Sequence, residues 1–294
     1  MAVYSIRDLE KLSGIKAHTL RIWEQRYKII EPHRTNTNIR KYSDADLKFI
    51  LNVALLRKNG IRIAKIAKMS QEEIAERVLA ISEVNFEHDT QLDALTISMV
   101  EMDVYKFDKI ISTNIDQIGF ERTMIEVIAP FLDKLSVLWL TGSINPAQEQ
   151  FMSCLIRQKI ISAIDHIPLV KPTSAKKVVV YGPEGEDQEL SLLFLHYLLK
   201  KRGFIVVYLG QNIPHNDLKT VHDIHQPDFM YAMVSTAFTL EPVQDYIDRL
   251  SSYFPDCILL FSGYLVISQI IEMRRNTRIL ETLGHTIQFF EENA

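Results

Sequence analysis

Residues 5–27 read SIRDLEKLSGIKAHTLRIWEQRY, and this stretch decides the fold of the N-terminal region. Ser5 can cap a helix that carries three apolar residues at helical spacing. Gly14 ends that helix, and a second helix is predicted from about Lys16 to Arg26. Two short helices joined by a glycine-containing turn form the compact frame that lays the second helix in the major groove of DNA.

Residues that can contact DNA are concentrated on the second predicted helix and just after it. The helix offers a dense set of groove-facing or phosphate-facing groups: Lys16, His18, Thr19, Arg21, Gln25 and Arg26. Arg34 and Arg40 bracket the polar, turn-prone stretch 31–38, which can protrude as a wing and place guanidinium groups on the backbone. Phosphate contacts supply salt-dependent affinity, whereas one or two groove residues supply sequence choice. The alternative is a solvated basic helical domain that binds protein.

The charge distribution is consistent with an N-terminal region, residues 1–70, that binds a polyanion; we call this region the head. The whole chain has a formal net charge of −4, but residues 1–70 carry a balance of +9 and residues 71–294 a balance of −13. The head is basic and the rest of the chain, residues 71–294, which we call the body, is acidic. This difference indicates that only the head contacts nucleic acid. Charge alone is equally compatible with chance clustering, so the motifs have to decide.

Composition excludes several other classes of protein. The chain has 294 residues, of which 47% are apolar and 24% charged, an ordinary globular balance for two or three domains. No apolar run approaches the ~20 residues of a membrane span, and the N-terminus lacks the pattern of a secretory signal. Cys154 and Cys257 are the only cysteines, which excludes a disulfide scaffold and a Cys-rich zinc site. These features predict a soluble, cytoplasmic protein without membrane contact.

The pattern of apolar residues divides the chain into three predicted domains, at 1–70, 71–168 and 176–294. In the middle region apolar residues recur every three or four positions, which predicts a bundle of about four helices. A linker at Ile167–Ala175, with two prolines, separates it from a region of alternating strands and helices. The fold class is therefore multidomain, an all-α part followed by an α/β part.

The C-terminal region has the signature of a parallel sheet. Its short segments rich in β-branched and aromatic residues predict five strands, at Lys177–Tyr181, Phe204–Leu209, Phe229–Val234, Cys257–Phe261 and Thr286–Phe290. The predicted helices between them are Leu190–Arg202, Asn216–His225, Glu241–Tyr253 and Val266–Thr277. Continuous apolar strands that alternate with helices indicate a parallel sheet covered on both faces.

The N-terminal motif closely resembles the DNA-binding domain of MerR-type transcriptional regulators. The family's T-[IL]-R-x-[YW]-E-x-R core lies at Thr19–Arg26. The later P-x-R, R-x-Y and Ser-x-x-Asp steps lie at Pro32–Arg34, Arg40–Tyr42 and Ser43–Asp46. The wing departs from the pattern at Asn38-Ile39-Arg40, where Gly-Tyr-Arg is usual, although Asn tolerates positive φ. The resemblance covers residues 3 to about 70.

This resemblance implies a winged helix-turn-helix head and assigns its contacts. Arg21, Arg26, Arg34, Arg40 and Tyr42 are expected at phosphates, with Lys16 and His18 near base edges. The full predicted DNA-binding set is Lys16, His18, Thr19, Arg21, Arg26, Arg34, Arg40, Lys41 and Tyr42. Trp23 can instead pack as core beneath the wing. A double-stranded operator with two half-sites is the expected partner, bound by a homo-oligomer that associates through the body.

The body resembles the helical bundle and flavodoxin-like domain of cobalamin-dependent, light-responsive repressors with MerR-type heads. In those proteins the loop after the first strand carries E/D-x-H-x-x-G, whose His ligates cobalt from below. Here that loop has Gln188 in place of the His and Ser191 in place of the Gly. An amide is a poor cobalt ligand compared with imidazole. The resemblance therefore implies a flavodoxin-like, five-stranded parallel sheet without the lower cobalt ligand.

Other markers of that family are partly present. Trp139 and Glu149 match residues at the upper cobalamin face, but Gln150 replaces the His that follows the acidic residue. A retained pocket would comprise Trp139, Glu149, Gln150, Gln188, Ser235, Thr236 and Gly263. The alternative for Trp139 and Glu149 is a core aromatic residue and a capped acid, and both interpretations stay open.

Two accounts of the body follow from the missing histidines. In the first, which we expect, no cofactor is bound, and a degenerate cobalamin domain serves oligomerisation or binds a protein such as an antirepressor. In the second, cobalamin or another small molecule still occupies the edge formed by the strand C-termini and controls a repressor that responds to light or to that molecule.

An enzyme is a third possibility, of a different class. The sequence lacks GxGxxG after the first strand, GxxxxGK[ST] and GxSxG. His222 and His225 lie three apart on a predicted helix and could share a face, as metal ligands do, but surface histidines are the simpler interpretation. The acidic loop Glu184–Glu189 could bind Mg²⁺ or could simply be solvated. We expect neither a metal site nor catalytic activity.

Overall fold

A computed structural model describes residues 4–30, 32–34, 40–84, 88–140, 144–169, 175–235 and 242–294. The chain separates into two compact units, Met1–Leu155 and Ile156–Ala294. The division into three domains stays a prediction. Along the described residues, no helix is both long and apolar enough to cross a membrane.

The head begins with the two helices that its caps predict. They are α1 (Ile6–Ser13) and α2 (Ala17–Tyr27). The Ser5 side chain accepts from the backbone N–H of Asp8, and the Asp8 carboxylate accepts from the Ser5 N–H at 2.8 Å. Gly14 ends α1 in the left-handed conformation at φ 70°. Both predicted boundaries of α1 are thus confirmed.

A two-stranded wing and two further helices complete the head. Strands β1 (His33–Arg34) and β2 (Arg40–Lys41) pair antiparallel. Helix α3 (Asp44–Lys58) is capped by Ser43, the first residue of the Ser-x-x-Asp step, and α4 (Ile63–Ile66) follows. The predicted turn at Asn38 lies outside the described residues.

The middle region is helical wherever it is described. Its elements are α5 (Gln71–Val84), α6 (His88–Glu101), α7 (Val104–Ile118), α8 (Phe120–Thr123), a π-helical turn (Met124–Ile128), α9 (Ala129–Leu140) and α10 (Pro146–Asp165). The segments from α8 to α9 run on without a break. In the described part of the region there are thus five long helical segments where about four were predicted. The unit boundary falls within α10.

Acidic side chains on α6 tie the head to this region within the first unit. Glu101, whose side chain is only 4% exposed, pairs with Lys48 of α3 at 3.1 Å and with Lys106 of α7. Asp93 likewise bridges a lysine of α3 and a lysine of α9. Because each carboxylate holds two ammonium groups from different helices, α3 is fixed against α6 by charge as well as by apolar packing.

The second unit contains a five-stranded parallel sheet. Its strands are β3 (Lys177–Pro183), β4 (Ile205–Ile213), β5 (Phe229–Met233), β6 (Ile258–Ser262) and β7 (Thr277–Ile279), in the spatial order β4-β3-β5-β6-β7. Its helices after α10 are α11 (Glu189–Lys201), α12 (Asp217–His225), α13 (Val243–Tyr253), α14 (Tyr264–Ile267) and α15 (Leu283–Glu292). Alternate strand residues feed a hydrophobic core on each face of the sheet. The predicted fold class is confirmed.

The end of the chain differs from the prediction. The fifth strand is Thr277–Ile279, and the stretch predicted as that strand, 286–290, lies within α15. Thr286 and Phe290 are both buried, and their four-residue separation places them on one face of a helix. The helix predicted over 266–277 ends instead at Ile267. The side-chain amide of Asn276 donates to the Phe254 and Cys257 carbonyls and directs the chain into β7.

A half-buried histidine in this unit is expected to make its stability depend on pH. His196 of α11 stacks on Tyr208 of β4 with ring centroids 5.2 Å apart. Burial, reinforced by Lys200, lowers the pKa of His196 to about 4. Between pH 6.5 and 4 the unfolded chain binds a proton that the folded chain does not, so stability falls as the pH is lowered through this window.

We therefore expect His196→Gln to flatten the dependence of the free energy of unfolding on pH between 6.5 and 4. The wild type should lose about 2 kcal/mol there through this group, discounted for partial exposure. Urea unfolding at half-unit pH steps measures it. The exposed His285 provides the control, because His285→Gln should keep the wild-type slope. An unchanged slope in His196→Gln would show that other groups set the profile.

Candidate nucleic-acid interface and ligand crevice

Glu10 positions the start of the predicted recognition helix. Its carboxylate accepts from the backbone N–H of Ala17 at 3.1 Å and pairs with the Lys16 ammonium at 3.2 Å. The hydrogen bonds from Lys16 and Ala17 lower the pKa of Glu10. The first turn of α2 therefore has a charged side-chain acceptor from α1, which fixes the angle between the two helices.

The outer face of α2 carries the predicted contact residues. His18, Arg21 and Arg26 are exposed, with Gln25 and the half-exposed Ile22 between them. Thr19 is partly buried, and its hydroxyl lies 3.3 Å from the His18 ring. On the opposite face Leu20 is fully buried and Trp23 is 8% exposed, so Trp23 is a core residue. The helix thus shows its polar, basic side to solvent.

Glu24 controls the two wing arginines, a role that the sequence analysis did not assign. Arg40 donates two hydrogen bonds to the Glu24 carboxylate, at 2.9 and 3.3 Å. Arg34 reaches the same carboxylate at 3.4 Å. The bond to Glu24 raises the pKa of Arg40. Glu24 is the only acidic residue of α2, but the sequence does not show that it faces β1 and β2.

The remaining wing residues divide between surface and core. Lys41 is exposed on β2. Tyr42 is 1% exposed, and no described residue makes a hydrogen bond to its buried hydroxyl. Burial, and next the charge of Glu24, raise the pKa of Tyr42. Its backbone pairs with Tyr4 at 2.8 and 2.9 Å. A phosphate contact through Tyr42, as predicted, would require the hydroxyl to become accessible.

In the second unit, the loop after β3 folds a carboxylate into the edge of the sheet. Glu186 is 2% exposed and accepts hydrogen bonds from the backbone N–H groups of Asp187 and Gln188, both at 3.1 Å. Its other oxygen accepts from the backbone N–H of Ser235, at the end of β5. Gln188, predicted at the cobalt position, is exposed at the start of α11. Thr236 lies outside the described residues.

Gly263 closes the same edge next to Ser235. It has φ 105° and ψ 161°, a conformation essentially restricted to glycine. A Cβ there would lie 2.4 Å from the Val234 carbonyl oxygen and 2.6 Å from the Ser235 hydroxyl. The ends of β5 and β6 therefore meet with no room for a side chain.

The predicted upper-face residues lie on helices of the first unit. Trp139 belongs to α9, and Glu149 and Gln150 to α10. The Glu149 carboxylate accepts from the Ser153 hydroxyl at 2.8 Å. The exposed Gln150 amide donates to the Cys154 sulfur at 3.7 Å. The acid at 149 is thus satisfied within its own helix.

Some of the residues considered as metal ligands make other contacts. The His222 ring packs on Phe254 with centroids 4.9 Å apart, and the His225 carbonyl accepts from Lys177. Glu189 of the acidic loop pairs with Arg157 at 2.6 Å. Over the described ranges, no group of three or more His, Cys, Asp or Glu residues is arranged to hold a metal ion.

Comparison with known proteins identifies the families that the head and the helical region match. Residues 4–73 match the MerR HTH family of regulatory proteins, a span that contains α1 to α4 and the wing. The chain is a transcriptional regulator with a MerR-type DNA-binding head. Residues 91–161 of the regulator match the B12 binding domain family, a span that begins in α6 and ends in α10. The head and the helical region thus belong to two separate families.

The regulator is similar to two transcriptional repressors over most of its length. It is 26% identical over 267 residues to the HTH-type transcriptional repressor CarH of Myxococcus xanthus, with 88% of each chain covered. It is 25% identical to the repressor CarA of the same organism, covering 71% of the regulator and 68% of CarA. A monomethylamine corrinoid protein of Methanosarcina barkeri has the same fold over 71% of the regulator and all of its own chain, at TM-score 0.55 and 12% identity.

Proposed function

We propose that the regulator binds an operator duplex through the outer face of α2, with Arg34 and Lys41 of the wing against the backbone. The observation that carries this proposal is the two-sided α2 helix, with Arg21 and Arg26 exposed opposite Leu20 and Trp23 in the core. Arginine side chains on such a face can reach phosphates and base edges together.

The test of this proposal is selection of duplexes from a random library, followed by a salt titration of the affinity. A specific duplex should bind at least ~10³-fold more tightly than bulk DNA, and log Kd should rise linearly with log salt concentration. Equal affinity for selected and bulk duplexes would contradict the proposed function. The remaining interpretation would be that the basic head binds a protein.

The proposal includes a symmetric oligomer. One small head makes few base contacts, and an operator with two half-sites calls for a protein with twofold symmetry. We assign self-association to the body. Light scattering on the purified protein should therefore give at least twice the mass of one 34.0 kDa chain, with or without DNA. A monomer that binds a single half-site would contradict this part of the proposal.

Glu24 provides a prediction about the wing. Glu24→Gln should lower the ratio of specific to non-specific DNA affinity about tenfold, because Arg40 and Arg34 lose the charge that orients them. Non-specific affinity should stay level or rise, since one negative charge is removed. The measurement is the binding of the selected duplex and of a scrambled duplex at one salt concentration.

The acidic residue Glu31, between α2 and the wing, offers a control of equal charge change. Glu31→Gln should leave the ratio of specific to non-specific affinity intact. If both variants lowered that ratio alike, net charge rather than the position of the wing would explain the effect.

For the body, the donor chemistry does not fit a protein ligand to cobalt. Amides stand at Gln188 and Gln150, where the pattern of the resembled cobalamin-dependent family has histidines, and a carboxamide is a weak ligand for a transition metal. We propose that the body binds no cobalamin and serves association with a second copy or with a protein such as an antirepressor. We assign it no catalytic activity.

A second candidate function is a repressor that senses cobalamin and responds to light in the manner of the resembled family. It is supported by the match of residues 91–161 to the B12 binding domain family. Titration with adenosylcobalamin in darkness, followed by size-exclusion chromatography before and after illumination, separates the two candidates. A saturable complex favours the sensor, whereas no spectral change at micromolar protein favours the cofactor-free body.

A further inference from the structure

One large apolar side chain lies among the charged and polar groups on the outer face of α2. Ile22 is 50% exposed, and among the described residues of the head no other large apolar side chain is as exposed. The T-[IL]-R-x-[YW]-E-x-R core leaves position 22 open, so the family pattern assigns it no role. The packing of α2 does not use it either, because Leu20 and Trp23 fill the core on the opposite side.

Basic and polar groups surround Ile22 on this face. Because residues four apart lie above one another on a helix, His18, Ile22 and Arg26 form one row. Arg21 and Gln25 are exposed beside this row. The positive charges of the two arginines favour a polyanion over an apolar protein partner. The exposed surface of Ile22 is therefore expected to meet DNA.

The side chains at the two ends of this row have contacts of their own, and Ile22 stays half-exposed between them. Nε2 of His18 lies 3.3 Å from the Thr19 hydroxyl, and the Arg26 guanidinium lies over the Tyr27 ring, 5.5 Å from its centroid. Isoleucine in a helix has one strongly preferred χ1 rotamer, so its outer methyl groups keep a fixed direction at little entropic cost. Ile22 thus presents a rigid apolar surface on a polar face.

A thymine methyl is the group in the major groove that fits such a surface. Among the base edges there, thymine alone carries an apolar substituent, its C5 methyl group. Ile22 placed against the polar edge of a G·C pair would desolvate hydrogen-bonding groups without giving them a partner, which costs free energy. We propose that Ile22 is a specificity-determining residue that contacts a thymine methyl in each half-site of the operator. The inference rests on the proposed function, since it assigns a base to the face of α2 that enters the groove.

Replacing single thymines by deoxyuridine tests this contact, because deoxyuridine lacks only the C5 methyl group and pairs with adenine in the same way. In the duplex selected with the full-length protein, replacement of one particular thymine of a half-site should lower wild-type affinity about fourfold, the scale of one buried methyl group. The same replacement should change the affinity of Ile22→Ala by less than about 1.5-fold, because the variant has no side chain that reaches the methyl group. Fluorescence anisotropy at one salt concentration measures these affinities.

Two controls separate this contact from a general loss of binding. Ile224→Ala changes an isoleucine of α12 that is 69% exposed, outside the head, and it should keep the wild-type response to deoxyuridine. Ile22→Ala should keep its affinity for bulk DNA within about twofold, because phosphate contacts supply that affinity. A wild type that responds to no deoxyuridine replacement, or an Ile22→Ala variant that keeps the full response, would overturn the inference. Failure of the proposed function would appear separately, as equal affinity of the wild type for selected and bulk duplexes.

Discussion

Replacing Arg21 and Arg26 together by alanine is expected to lower operator affinity about 100-fold at 0.1 M salt. Both side chains are exposed on the outer face of α2. Each lost phosphate contact removes a charge-assisted hydrogen bond, for which about tenfold in affinity is a reasonable scale. Because each contact also releases counterions, the slope of log affinity against log salt should become shallower by about two units per head.

The measurement is fluorescence anisotropy of the selected duplex between 0.05 and 0.3 M salt, about the range in which phosphate contacts dominate. A control with the same charge change is Arg77→Ala with Arg275→Ala, two exposed arginines outside the head. That pair should shift neither the affinity nor the slope appreciably, and the oligomeric mass should be unchanged in all variants. A common slope for both double variants would show that α2 is not the DNA-binding face.

Local signals in the sequence were sufficient for the head. Ser5 and Gly14 act on their immediate neighbours through capping bonds and backbone conformation, so their effects can be predicted without the tertiary structure. The ion pair of Glu24 with Arg40 joins residues 16 apart, across a wing whose geometry the sequence does not specify. For that reason the wing arginines could be recognised as basic, but not as already paired.

The sheet shows the same division between local and long-range information. Its first four strands can be predicted from runs of β-branched residues. Phe289 and Phe290 are predicted in a strand but lie in a helix, because a short apolar run does not by itself distinguish a helix from a strand. Both rings pack edge-on against Phe229, a contact that only the folded sheet creates. In the loop after β3, Glu186 could be matched to the acidic position of the family's motif, but its burial could not be predicted. Its burial depends on Gly182 and on the Ser235 amide, which lies 49 residues away.

Gly263→Ala is expected to destabilise the sheet unit by at least about 3 kcal/mol. The added Cβ would lie 2.4 Å from the Val234 carbonyl oxygen, well inside van der Waals contact. That carbonyl also accepts a hydrogen bond from the Leu265 N–H at 3.2 Å. A shift of the carbonyl away from the new Cβ would therefore break this hydrogen bond at the start of α14. The backbone conformation at φ 105° and ψ 161° is also strained for any residue other than glycine, even where the side chain has room.

Gly284→Ala provides the matched comparison, because it adds the same methyl group to the same unit. Gly284 lies in the first turn of α15, and its added Cβ would approach only the Thr282 hydroxyl, at 3.6 Å. This variant should be neutral or more stable by up to about 1 kcal/mol, since alanine favours the helix. Urea unfolding followed by circular dichroism compares the two. Equal stability of the two variants would mean that the ends of β5 and β6 do not approach closely.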